Sequence, residues 1–333
     1  MEKQKLLQEI ESFVAEGKIK KSELIESFDK GSAKVRKEHD VSRILYYLGG
    51  GVVLAGIFIF ISQYWPVLGS VSRVLVTLGS GVAAYVAGTF FSADSRFRGV
   101  GNAFHLIGAV LLPFGMAVFV EEAGMEVSPG VLSIIFLILS FGYIASFFLR
   151  RSTLFLFWSI VFVSALFFAF TEYLALSAAF SGEQIARFAE YRIATTGLSY
   201  LFLGYYFSPM FREQKDILPY SSALSGFLYG FGALGFFGST LFLGGWNPNQ
   251  SIFWEVLYPF LTFSGLFLSV YVKSRSLLIF SSIFLFGYIF KMTSEYFADN
   301  FGWALSLVVL GFALIAVGYL VVYLNKKFKK LAD

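Results

Sequence analysis

Apolar residues dominate this chain in blocks of about twenty, separated by short polar breaks. Such a block is long enough to cross about 30 Å of hydrocarbon as a helix. The pattern predicts ten spans, at 44–64, 71–91, 100–120, 131–149, 153–174, 194–207, 220–243, 254–272, 276–291 and 301–324. The sixth, "ATTGLSYLFLGYYF", is the shortest.

Before the first span the pattern changes. Residues 2–16 place Leu6, Ile10, Phe13 and Val14 on one helical face, with Gly17 as a stop. Ser22 caps a second short helix that carries Leu24, Ile25 and Phe28 and ends near Gly31. A two-helix region of this size buries little surface by itself, so residues 1–40 call for a partner, either the membrane domain or another protein. A third amphipathic stretch, "SGEQIARFAEYR" at 181–192, opens with the capping box Ser181–Gln184 and carries Glu183 and Arg187 at i, i+4. Its apolar stripe predicts a helix lying at the membrane interface.

Composition agrees with the pattern. Of 333 residues, 57% are hydrophobic and only 14% charged, where a soluble domain carries about 25% charged residues. The fold class expected is all-α, a polytopic membrane helical bundle. The net charge of +4 is explained by its placement, so no nucleic-acid partner is implied. With the N-terminus inside, the cytoplasmic side receives Lys34, Arg36, Lys37, Arg43, Arg96, Arg98, Arg150 and Arg151. It also receives Arg212, Lys215, Lys273, Arg275, Lys326, Lys327, Lys329 and Lys330. The opposite side receives Arg73, Arg187, Arg192 and Lys291. Sixteen against four is the bias of a protein with both termini cytoplasmic. The basic tail, residues 325–333, and the stretch before the first span can also touch anionic lipid headgroups.

An internal echo runs through the spans. Sliding the sequence by 123 residues aligns 102–175 with 225–298 at about fifteen identities, among them Phe104 with Phe227, Gly142 with Gly265 and Ser159 with Ser282. "EY" at 172–173 falls on "EY" at 295–296. Four spans per copy keep both copies in one orientation, a tandem parallel repeat. The domain reading is a cytoplasmic N-terminal region at 1–42 and a transmembrane domain at 43–324. Within the latter lie a first hairpin at 43–92, repeat one at 100–207 and repeat two at 220–324.

Chemistry is sparse. The absence of cysteine excludes disulfides, zinc–thiolate sites and thiol catalysis. "GFGALG" at 230–235 matches a dinucleotide fingerprint only formally, because it lies inside an apolar span with no strand before it. Close helix packing explains those glycines, and the small stripe Ser80, Ala84, Gly88 and Ser92, better. The sequon at Asn249 matters only in a eukaryotic secretory pathway. No catalytic set, metal site or cofactor motif is expected.

Ionisable residues at membrane depth are candidates for function. His105 falls in the third span, as an interhelical hydrogen-bonding group or a proton carrier. Glu172, Glu255 and Glu295 stand near the outer ends of spans five, eight and nine, Lys291 one turn before Glu295, and Glu121 and Glu122 close the third span. Two readings compete for them. They anchor at the interface with Tyr173 and Tyr296 at headgroup level, or they form an acidic outer vestibule that concentrates cations. Pro113 and Pro259 are expected helix breaks whose freed carbonyls a site could use.

Three stretches carry a family resemblance: "LLQEIESFVAEGKIKKSELIESF", "RILYYLGGGVVLAGIFIFISQYW" ending at Trp65, and "YFADNFGWALSLVVLGFALIAVGYLVVYLNKK". In them the chain resembles a family of predicted bacterial membrane proteins (domain of unknown function two-one-five-seven). The resemblance implies a bacterial cytoplasmic membrane and multiple spans, and no activity. Two functions are therefore carried forward: a transporter or permease-like protein for a cation or small solute, and a non-catalytic membrane scaffold or sensor acting through its N-terminal helices. An enzyme acting on lipid ranks behind both.

Overall fold

The computed structural model describes residues 45–208 apart from 47 and 95, then 222–246 and 250–297, with 308, 311, 312, 315 and 319. The N-terminal helices expected over 1–42, the tenth span at 301–324 apart from those five residues, and the basic tail lie outside the described residues. The described residues form helices and their connections. Eight of the helices are long and apolar enough to cross a membrane.

In chain order the helices are α1 (Leu48–Val67), α2 (Ser70–Phe91), α3 (Arg98–Glu122), α4 (Pro129–Arg150) and α5 (Thr153–Ser177). They continue with α6 (Gly182–Tyr206), α7 (Ser222–Leu243), α8 (Ile252–Tyr271) and α9 (Arg275–Met292). A π-wound turn, Thr293–Phe297, extends α9, and another, Leu75–Gly79, lies within α2. The chain divides into two compact units, Met1–Val127 and Ser128–Asp333. The division falls inside the stretch 100–207 that the sequence groups as repeat one.

Two expectations are corrected. The interfacial helix at 181–192 and the short sixth span at 194–207 are one continuous helix, α6. The capping box starts it as expected, with Gln184 N donating to Ser181 Oγ and Ser181 N to Gln184 Oε1. Nothing between Arg192 and Ala194 stops it. Its charged first half (Glu183, Arg187, Glu190, Arg192) keeps α6 out of the eight apolar helices. Pro113 and Pro259 do not break their helices either; each sits inside an unbroken one. A proline costs one hydrogen bond and a local clash, and neighbouring helices can satisfy what is freed.

In the first unit, α2 and α3 pack tightly and α1 lies against them, with Leu54, Ala84, Ile107 and Leu111 as the core. In the second unit the hairpins α4–α5, α6–α7 and α8–α9 are the tight pairs. Leu201, Tyr229, Ala233, Phe237, Val272 and Leu277 join α6, α7, α8 and α9 in one core. Large apolar side chains such as Phe141, Phe148 and Leu149 stay exposed on the flanks, as a lipid-facing surface requires.

The α2–α3 and α6–α7 hairpins cross on the same glycine contacts. A Cβ on Gly81 would meet the Leu111–Leu112 peptide, and one on Gly197 the Gly235–Phe236 peptide. A Cβ on Gly108 would lie 3.2 Å from both Gly81 O and Tyr85 N, and one on Gly232 2.9 Å from both Gly197 O and Leu201 N. Gly88 faces the His105 ring and Gly204 the Tyr229 ring. Corresponding contacts stand 116 positions apart on the first helix of each hairpin and 124 on the second. The helix α3 register therefore differs by one residue from the gapless shift of 123. Identities along the chain set that shift, whereas the glycine contacts set the crossing.

On α4 and α8 the shift of 123 matches burial. Ile135, Leu139, Tyr143 and Ser146 on α4 are buried, as are Tyr258, Thr262, Leu266 and Ser269 on α8. The turns that follow match at a shift of 122. Arg151 (φ 49) and Lys273 (φ 54) adopt left-handed backbone between the helices of each hairpin. Each precedes a serine N-cap: Ser152 accepts from Leu154 N and Ser274 from Leu277 N, both at 3.4 Å.

Candidate functional site

The four basic residues that the sequence assigns to the outer side each meet a carboxylate. Arg187 pairs with Glu183 at 3.3 Å on the exposed first half of α6, where the i, i+4 spacing placed it. The other three pairs are partly or wholly buried and tie helices together.

Arg73 on α2 reaches Glu122 at the end of α3, Nη1 to Oε1 2.7 Å. It also donates to the Trp65 carbonyl through Nη2 (3.1 Å) and Nε (3.3 Å), and stacks over the Trp65 ring at 4.8 Å. The guanidinium thus joins the ends of α1, α2 and α3. Glu121, one residue earlier, is exposed.

Arg192 on α6 reaches back to Glu172 on α5, Nη2 to Oε2 2.5 Å. Its Nη1 donates to Phe168 O (3.1 Å) and Thr171 Oγ1 (3.3 Å), and the guanidinium lies over the Phe188 ring at 5.1 Å. This pair links α5 to α6, which otherwise touch only lightly. Tyr173 is exposed, with its ring edge beside Gly130.

Lys291 has a different arrangement. Its Nζ lies 2.6 Å from Glu255 Oε1 on α8 and 3.3 Å from Glu295 Oε2 one turn further along. The three side chains are 2%, 8% and 5% exposed. The Trp246 ring covers the ammonium at 5.6 Å. Gly244 leaves room beside it, since a Cβ there would stand 3.8 Å from Nζ. Two buried carboxylates therefore share one ammonium, where Arg73 and Arg192 each serve one. The two copies of the Glu-Tyr motif have diverged in partner: Glu172 takes an arginine from the next helix, Glu295 a lysine from its own. Nothing is described of the Tyr296 side chain.

Pro259 acts at this centre. Lacking N–H, it leaves the carbonyl four residues back, that of Glu255, without its helical donor. Tyr288 Oη donates to that oxygen at 2.9 Å. α9 thus holds both the side chain and the main chain of Glu255.

His105 lies apart from these pairs. It is fully buried between α2 and α3, packed on Gly88, with its ring edge-on to Tyr85 at 5.3 Å. Among the described residues no group of three or more His, Asp or Glu is placed to hold a metal ion.

Sequence reasoning singled out Glu122, Glu172, Glu255, Lys291 and Glu295, and did not name as site residues the groups that meet them, Arg73, Arg192, Tyr288 and Trp246. The two arginines carried a signal. A basic residue on the side where basic residues are scarce needs a local reason, and a carboxylate partner supplies one.

Residues 11–153 match the model of a family described as Predicted membrane protein (DUF2157). The chain resembles that family over this stretch. The match takes in Trp65, Arg73 and Glu122, and leaves the Arg192–Glu172 pair and the Glu255–Lys291–Glu295 cluster outside it. No curated protein and no solved structure matches the chain. The match and the helices together give a predicted membrane protein with several helices long and apolar enough to cross a bilayer.

Proposed function

We propose that the chain is a transporter-like protein of the bacterial cytoplasmic membrane that moves a cation or small solute, with Glu255, Lys291 and Glu295 as its ion-handling centre. The supporting observation is the cluster itself: two carboxylates lie against one ammonium, all three at low exposure. Charges this close and this buried are coupled, so a change in the protonation of one bears on the others, as an ion-handling centre requires. Ionisable groups held among apolar helices mark ion pathways in membrane proteins. In this reading ten spans place both termini in the cytoplasm, and a four-span unit is duplicated. The matching hairpin crossings and turns support a duplication in which α2–α5 answer to α6–α9, one span earlier than the sequence boundaries.

Flux into proteoliposomes tests the reading. A proton or cation flux should be lost in Glu295→Gln and kept in Glu172→Gln, because Glu172 is balanced one-to-one by Arg192. An inert wild type, or a Glu295→Gln variant with full flux, removes the proposal.

The one-to-one pairs favour the second reading, a scaffold. Arg73–Glu122 and Arg192–Glu172 each join helices within one unit and give the carboxylate a cation of its own. A scaffold would act through residues 1–40 on a cytoplasmic partner, and anionic headgroups would assist at the basic tail. Deleting residues 1–40 should then abolish co-purification of that partner without disturbing the bundle.

A further inference from the structure

We infer that the second unit holds a binding site for a neutral, largely apolar alcohol that enters from the bilayer. The site stands apart from the carboxylate cluster and requires no transport. It is a cavity of about 380 Å³ between α4, α5 and α6, at the small end of the roughly 300–1,000 Å³ typical of ligand pockets.

Its lining includes aliphatic and phenyl side chains, among them Ile144, Val163 and Phe167, and six hydroxyl-bearing residues: Ser159, Ser164, Thr195, Thr196, Ser199 and Tyr200. No charged residue belongs to this lining, so a charged ligand would be desolvated without compensation. The mouth lies at mid-height. Val163, Thr195 and Ser199 are exposed on the helix flanks, and Val163 stands ten residues into the 25-residue α5, about 15 Å from its start at 1.5 Å per residue. A ligand reaching it comes from among the acyl chains rather than from water.

The hydrogen-bond directions choose the ligand chemistry. A carbonyl oxygen can only accept, so each hydroxyl bonded to one has committed its hydrogen. Ser159 donates to Phe155 O (2.7 Å), Ser164 to Ile160 O (2.8 Å), Thr195 to Tyr191 O (2.8 Å) and Ser199 to Thr195 O (2.9 Å). Because the Ser164 hydrogen is committed, the 2.9 Å contact between Ser164 Oγ and Tyr200 Oη has Tyr200 as donor. Five of the six hydroxyls therefore present lone pairs. A ligand that donates, an alcohol, finds acceptors at every turn, whereas the matching ether or ketone meets acceptors with an acceptor.

The test uses the full chain in lipid nanodiscs and two probes, a long-chain alcohol with a diazirine in its tail and the methyl ether of the same compound. Ultraviolet cross-linking should place the alcohol on α5 and α6 near Val163 and Ser199, with the ether several-fold weaker. One lost hydrogen bond corresponds to about a 3- to 10-fold loss of affinity, so Tyr200→Phe should weaken the alcohol by that factor and leave the ether unchanged. Ser199→Ala, at an exposed position, gives the same comparison if Tyr200→Phe disturbs folding. Equal labelling by alcohol and ether, or labelling confined to other helices, overturns the inference. So does efficient cross-linking of a cysteine at 199 to one within 301–324, because the chain itself would then occupy the cavity.

Discussion

The hydroxyl of Tyr288 donates to the carbonyl oxygen of Glu255 at 2.9 Å, and that carbonyl is the one Pro259 leaves without a helical donor. Removing the hydroxyl leaves a buried acceptor unsatisfied, at a cost of about 1–3 kcal/mol. Tyr288→Phe should lower stability by that amount. Pro259→Ala restores the amide donor from within α8, so in the double variant the tyrosine should matter much less. Unfolding of the four proteins in detergent, followed by helical circular dichroism, gives the coupling. Additive losses would show that the hydroxyl and the proline act separately.

Lys291 holds two carboxylates away from water, so its loss should be the costliest single change at the cluster. Removing one member of a buried ion pair costs about 3–5 kcal/mol, and Lys291→Met should fall in or above that range. Adding Glu255→Gln and Glu295→Gln to Lys291→Met removes the uncompensated charge and should recover most of the loss. A triple variant no more stable than Lys291→Met would mean that packing of the lysine stem, not charge, is what counts.

Gly197 and Gly287 should respond oppositely to alanine. A Cβ at Gly197 falls on the backbone nitrogen of Phe236, whereas one at Gly287 meets nothing within 4 Å. Gly287→Ala should therefore gain up to about 1 kcal/mol of helix propensity. Gly197→Ala should push α6 from α7 and lose more than that. Thermal unfolding of the two single variants separates the cases. A neutral Gly197→Ala would show that the crossing is looser than the contacts imply.

The chain contains no cysteine, which makes single-cysteine labelling of its topology direct. Cysteines placed at 187 and 245 should react with a membrane-impermeant maleimide in intact cells, and cysteines at 151 and 273 only after lysis. Reaction at all four positions before lysis would refute the ten-span orientation.

Apolar block length located eight of the helices, because crossing a hydrocarbon layer leaves few alternatives. Local chemistry was equally legible. The Ser181–Gln184 capping box and the Glu183–Arg187 pair both form, since each depends on residues within one turn. The continuity of α6 was hidden because its charged half and apolar half look like different elements to any hydropathy window. The partners of the carboxylates were hidden for another reason. Glu172 meets a residue 20 positions away and Glu255 one 36 positions away, and only the helix crossings bring them together. Pro259 was recognisable as a source of a free carbonyl, but its receiver Tyr288 was not.

The turns at Arg151 and Lys273 bear on how the protein is made. At φ 49 and 54 a residue with a side chain is strained by about 1–2 kcal/mol, and glycine would relieve that strain. A glycine would also delete a cation from the short connection within a hydrophobic hairpin, where basic residues are the cue to which way a nascent chain threads. In the proposed orientation each turn keeps a conformational defect in the finished protein at a position where its charge would hold the loop in the cytoplasm. Relieving the strain with glycine should yield a tougher molecule once folded and a larger fraction of chains inserted upside down.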